Sequence, residues 1–131
     1  MAIIKNEKRN NFDELIEIID KARLKAFRAV NYELISMYWD IGNYLSKKVK
    51  SEKWGKSIVS DFSQYVQSRF KGIKGFSPQN IWRMKQFYET YADNEKLSPL
   101  VRELSWTINL IILVAAKTDE EREFYLLVKK K

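Results

Sequence analysis

The stretch NFDELIEIIDKARLKAFRAVNYELISMYWDIGNYL, residues 11–45, decides the fold class. Apolar side chains recur at Phe12, Leu15, Ile16, Ile19, Ala22, Ala26, Val30, Leu34, Met37/Tyr38, Ile41 and Leu45. Steps of three and four, held this long, are the period of a helix with one apolar face. Asn11 is placed to cap its start, with Glu14 three residues on as a capping-box partner. No proline interrupts the stretch, so one long helix is expected, kinked or briefly broken at most near Lys25–Val30; two helices meeting there is the alternative. A helix of that length needs cover along its apolar face, from this chain or from a second subunit. Gly42 costs about 1 kcal/mol of helix propensity, and close approach of a bulky neighbour such as Trp39 or Trp54 is the expected return. The cationic run from Lys47 to Lys53 marks the end, where the helix dipole favours positive charge.

Downstream, Ile58, Val59, Phe62, Tyr65, Val66 and Phe70 form the apolar face of a helix over 56–69. The basic, glycine-bearing link 71–76 follows. Ser77-Pro78 is a strong start signal: the hydroxyl accepts an orphan amide bond, and proline has no amide to satisfy. That helix extends to about Tyr91, with Ile81, Met84, Phe87/Tyr88 and Tyr91 inward and Gln79, Asn80 and Arg83 outward. Ser98-Pro99 opens a short helix to about Leu104. Ser105 caps a mostly buried helix, Trp106 to Ala116. Thr118 with Glu121 starts a last amphipathic helix carrying Phe124, Tyr125, Leu127 and Val128. The fold class is all-α: a compact bundle of five or six helices with a helix-turn-helix-like pair and a long first helix, read as a single domain over 1–131.

Composition narrows the chemistry. The 131 residues contain no cysteine and no histidine, which removes disulfides, thiol nucleophiles, Cys/His zinc sites and histidine acid–base schemes. No signal-peptide apolar region follows Met1, and the apolar run Ile108–Ala116 is far short of the roughly 20 residues that span a bilayer. A cytoplasmic location without membrane contact is expected. Gly72 and Gly75 among lysines lack the spacing of a nucleotide-binding loop, and no nucleophile stands beside a base. No cofactor, metal or catalytic residue is expected, and the chain is read as a non-enzyme.

What remains is recognition. The formal charge is +7, and residues 51–92 carry seven Lys/Arg against three Asp/Glu. That excess would attract a polyanion. If the helix from Ser77 enters a major groove, Gln79, Asn80 and Arg83 are the candidate base-edge contacts, with Trp82 or Gln86 near them. Lys56, Lys71, Lys74 and Ser77 would hold phosphates. The same residues admit a plainer reading, in which Asn80 bonds across a helix interface, Trp82 is core and Lys71 and Lys74 are a solvated turn. Convergence of Lys71, Lys74, Arg83 and Lys85 on one face with Asn80 would favour DNA. Lys85 pointing away, with the apolar face of residues 12–45 left uncovered, would favour assembly.

The residues also carry a resemblance. Asn31-Tyr32-Glu33-Leu34, Tyr38-Trp39-Asp40-Ile41-Gly42, Trp54-Gly55, the run from Gly75 to Tyr88, Leu104-Ser105-Trp106-Thr107 and Glu121-Arg122-Glu123-Phe124-Tyr125 resemble, in order, the N-terminal domain of the YhcG family. The likeness extends from about residue 20 to residue 127. It implies a helical, winged-helix or helix–turn–helix-like module that binds DNA or mediates assembly ahead of a PD-(D/E)XK nuclease domain. No Pro-Asp followed by an acidic-x-Lys motif occurs here, so any nuclease would be a missing half or a partner subunit. The histidine usual after the Ser-Trp-Ser/Thr motif is replaced by Ile108 and Asn109, and its role does not transfer. The resemblance therefore implies a non-catalytic DNA-binding module of a restriction or defence-type nuclease system. The alternative is a dimerisation or scaffold domain built on the first helix.

Overall fold

A computed structural model describes the backbone of residues 2–52 and 55–130. The side chains of residues 2–8, Asn10, Glu52 and Lys56 lie outside the described set, as does Trp54. The described chain is all helix and connection: α1 (Ala2–Glu52), α2 (Lys56–Arg69), α3 (Pro78–Tyr91), α4 (Ser98–Val101), α5 (Trp106–Ala115) and α6 (Asp119–Lys130). The first helix is continuous, with no break near Lys25–Val30. It does not start at Asn11. Neither proline nor glycine lies between Ala2 and Asn11, so nothing stops the helix from running through that position, and the expected cap is an interior residue.

Where α1 meets the rest of the chain is set by Asn31. Its amide donates to the carbonyls of Leu104 at 2.9 Å and Arg102 at 3.3 Å, tying the helix to the turn before α5. Beyond it Ile35, Tyr38 and Leu45 are buried. Before it, every described residue from Asn11 to Val30 is exposed. The helix is thus an arm joined to a packed body.

In the body, α1 lies chiefly on α3. Gly42 makes this possible, though not through Trp39, and the alternative, Trp54, lies outside the described residues: a Cβ at Gly42 would be driven into the Met84 carbonyl and against Tyr88 Cβ. The return on the glycine is a backbone-to-backbone approach. Around that contact Trp39 stands edge-on to Phe87 and Tyr88, with centroids 5.7 and 5.2 Å away. Tyr38 tilts against Trp106 at 4.7 Å, and Phe87 meets the same indole edge-on at 5.1 Å. Each pair adds about 0.5–1.5 kcal/mol beyond area burial. Ile81, Met84, Phe87 and Tyr91 all point inward as their spacing requires.

The later helices depart from expectation at three points. Ser98 does not cap α4; it lies inside the helix. Asn94 supplies the start instead, its Oδ1 accepting from the Leu97 amide at 3.0 Å and its carbonyl from Ser98 at 3.0 Å. The helix ends at Val101, earlier than expected, because Arg102 and Glu103 turn the chain toward Asn31. Ser105 does cap α5, accepting from Ile108 at 3.2 Å. Yet α5 is not mostly buried: Ile112, Leu113 and Asn109 face in, while Ile111 and Val114 are exposed. Neighbours reach it from only one side. In α6 the anchor is Leu126, fully buried, whereas Phe124, Tyr125, Leu127 and Val128 are exposed.

Candidate functional site

Two surfaces stand apart from the core. The first is the turn between α2 and α3, a helix–turn–helix-like pair with a longer link than usual. Gly72 and Gly75 have φ of 78° and 91°, left-handed values that side chains with a Cβ rarely adopt. At Gly75 a Cβ would also come within 2.7 Å of the Tyr38 hydroxyl. Phe76 is buried, and its carbonyl accepts from Ser63 of α2 at 2.5 Å. The turn is therefore pinned at its far end, while Lys71 and Lys74 project into solvent.

Ser77 caps α3, its hydroxyl accepting the Asn80 amide at 3.2 Å. Gln79 is exposed and Arg83 half-buried. Asn80 is not outward. Its Nδ2 donates to the Gly75 carbonyl at 2.6 Å, and its Oδ1 accepts from the Trp106 indole at 2.8 Å. Both ends of the amide are thus spent on holding the turn to α5. Lys56 has no described side chain. Lys85 also leaves the set, because it is paired with Glu89 at 2.6 Å and lies over the Trp82 ring at 5.9 Å. Burial alone would raise the Glu89 carboxyl. Hydrogen bonds from Lys85 and Ser46, with the charges of Lys85 and Lys50, hold it below the usual value.

Among the described residues no ion pair engages Lys71, Lys74 or Arg83, nor Arg69, which in the sequence looks like no more than a helix end. Arg69 could have been found by asking which cations border the link. Arg69 and the link thus carry three exposed cations, Arg69, Lys71 and Lys74. A groove of about 750 Å³ runs beside Gln79 and Arg83, but its other wall is Leu110, Ile111 and Val114 of α5. This arrangement can hold phosphates. Its apolar wall offers bases no hydrogen bonds.

The second surface is the arm of α1. Phe12, Leu15, Ile16, Ile19, Phe27 and Val30 are all exposed, Phe27 and Val30 at 68%. Helical period revealed this stripe in the sequence apart from Phe27; that nothing in the chain covers it did not follow from the period.

Among the described residues no group of three or more acidic side chains could hold a metal ion, and no helix is long and apolar enough to cross a membrane. Asn109, one of the two residues that follow the Ser105-Trp106-Thr107 motif, is fully buried and donates to the carbonyls of Val101 and Ser105 at 2.9 and 3.1 Å. Here that position braces the turn before α5.

Compared with known families, residues 14–131 match the one described as the DUF1016 N-terminal domain. This agrees with the YhcG resemblance and extends it to the last residue. The match is to an N-terminal accessory domain, one associated with fused nuclease domains, and not to a catalytic fold. No curated protein and no solved structure matches the chain.

Proposed function

Since the chain belongs to the DUF1016 N-terminal domain family, we propose that it is a non-catalytic assembly domain of a nuclease-associated system, joined to a protein partner through the exposed arm of α1. One observation carries this reading: the apolar stripe of the arm lies wholly outside the core of its own chain. Burying a Leu, Ile or Phe side chain is worth about 1.5–3 kcal/mol. In proteins most helical stability comes from packing of an amphipathic face, and this stripe packs on nothing in its own chain. Covering the stripe supplies both deficits at once. Of the features that separate DNA binding from assembly, the apolar face is uncovered up to Val30, while the Asn80 amide is spent on Gly75 and Trp106 and Lys85 on Glu89.

A photo-crosslinking amino acid at Ile19, compared in cells with one at Glu17 on the polar side of the same helix turn, tests the reading. A protein adduct of defined mass at Ile19, absent at Glu17 and abolished by Leu15→Glu, is expected. Equal labelling at both positions, or none, would overturn it.

A second reading, contact with duplex DNA by the α2–α3 turn, is favoured by the exposed, unpaired Arg69, Lys71 and Lys74 beside Gln79. The two readings use different surfaces and are compatible.

A further inference from the structure

The arm has an internal polarity. Residues 13–20 hold Asp13, Glu14, Glu17 and Asp20 and no base; residues 21–28 hold Lys21, Arg23, Lys25 and Arg28 and no acid. Two such arms laid parallel would set acid beside acid and base beside base. Laid antiparallel, each acidic half meets the other copy's basic half.

Side-chain volume has the same polarity. Along one seam of the helix, at steps of three and four, stand Phe12, Leu15, Ile19, Ala22, Ala26 and Ala29, all exposed. On this seam the large residues occupy the first half and the small ones the second, while Ile16, Phe27 and Val30 lie beside it. A parallel pair would stack large on large at one end and leave alanine against alanine at the other. An antiparallel pair with its two-fold axis between Asp20 and Lys21 sets Phe12 against Ala29, Leu15 against Ala26 and Ile19 against Ala22. Every layer then holds one large and one small side chain, as facing helices at near-constant separation require.

Charge and volume are independent features of the sequence, and both put the axis at the same place. Resting on the assembly reading above, we infer that the arm's partner is a second copy of this chain, bound antiparallel in this register. The body does not obstruct it. At about 100° per residue, the seam lies on a different side of α1 from Ile35, Tyr38 and Gly42, which face the core. Past Ala29 the steps of the seam reach Glu33, which is exposed, and Ser36, which is half-buried and accepts from Arg102 at 3.2 Å, so the body meets this line only beyond the paired span 12–29.

The chain lacks cysteine, so single thiols report the geometry directly. In the proposed pair, residue 15 of one copy faces residue 26 of the other. The two copies of residue 15 lie about 16 Å apart along the axis, beyond the roughly 7 Å that a disulfide can bridge. Oxidising a mixture of the Leu15→Cys and Ala26→Cys chains is expected to give a covalent heterodimer, while each chain alone stays uncrosslinked. Sedimentation of the cysteine-free chain should show a dimer that weakens as salt rises. A covalent dimer from Leu15→Cys alone would mean parallel pairing and overturn the inference while leaving assembly intact. So would an Ile19 adduct with a different protein and a chain that sediments as a monomer. Neither a dimer nor any face-specific adduct would sink both.

Discussion

Asn80 shows how a residue's destination can be invisible in its own segment. Its place in the first turn of α3 was legible, because Ser77-Pro78 sets the helix start. Its inward turn depends on Trp106, 26 positions away, and no local pattern contains that pairing. Asn80→Ala leaves the Trp106 indole and the Gly75 carbonyl without partners. A loss of about 2 kcal/mol is expected, read as a lower midpoint in urea denaturation, with DNA affinity of the folded fraction unchanged. Tyr91 is a second case. Its ring is fully buried against Phe87, and its hydroxyl has no hydrogen-bond partner. Burial pushes its pKa from the usual 10.0 to about 12. A raised folded value favours the neutral form, so the associated stability is complete below the unfolded pKa and is lost as pH climbs toward the folded one. Thermal melts should therefore fall from about pH 10 upward for the wild type. Tyr91→Phe should flatten that fall and be neutral or mildly stabilising at pH 7, because it removes an unsatisfied buried hydroxyl.

At the level of elements, local chemistry was the best guide where the signal had one physical outcome. Ser77, Ser105 and Thr118 cap as their spacing requires. The reading of Asn11 and Ser98 failed for a common reason: a residue able to cap does so only if the chain before it leaves the helix. Helix α5 misled differently, since a run of apolar residues says nothing of how many sides neighbours will reach. Helix pairing was partly legible. Gly42 signalled a close approach, but which helix would approach is a tertiary fact. Gly42→Ala should cost several kcal/mol, at or beyond the usual range of about 1–3 kcal/mol for overpacking, because the new methyl meets a backbone carbonyl that cannot rotate away. Calorimetry of the variant, with Gly55→Ala as a control in open space, checks this. For the α2–α3 turn, Lys71→Ala, Lys74→Ala and Arg83→Ala together should reduce the salt dependence of duplex binding. Every phosphate no longer neutralised lowers the slope of log K against log salt by about 0.9. Fluorescence anisotropy at several salt concentrations measures it, and an unchanged slope in the folded variant would place any DNA contact elsewhere.

For the molecule as a whole, the division of α1 into arm and body makes folding and association separable by spectroscopy. All four tryptophans lie at or after Trp39, and none lies in residues 1–30. Tryptophan fluorescence therefore reports the body alone, whereas far-ultraviolet circular dichroism reports every helix, arm included. The described residues of the arm up to Val30 make no core contact with their own chain, so on the assembly proposal its helicity depends on a partner and thus on protein concentration. The body's aromatic cluster of Tyr38, Phe87 and Trp106 is intramolecular, and its unfolding should not depend on concentration. On heating a dilute sample, ellipticity should fall in two stages, the first moving to higher temperature as concentration rises. Fluorescence should show only the second. Removing residues 1–30 should abolish the first stage and leave the second within a few degrees of its original midpoint. Coincident transitions at all concentrations would mean that arm and body unfold as one cooperative unit. In that case the arm would need contacts with its own body beyond those of the described residues.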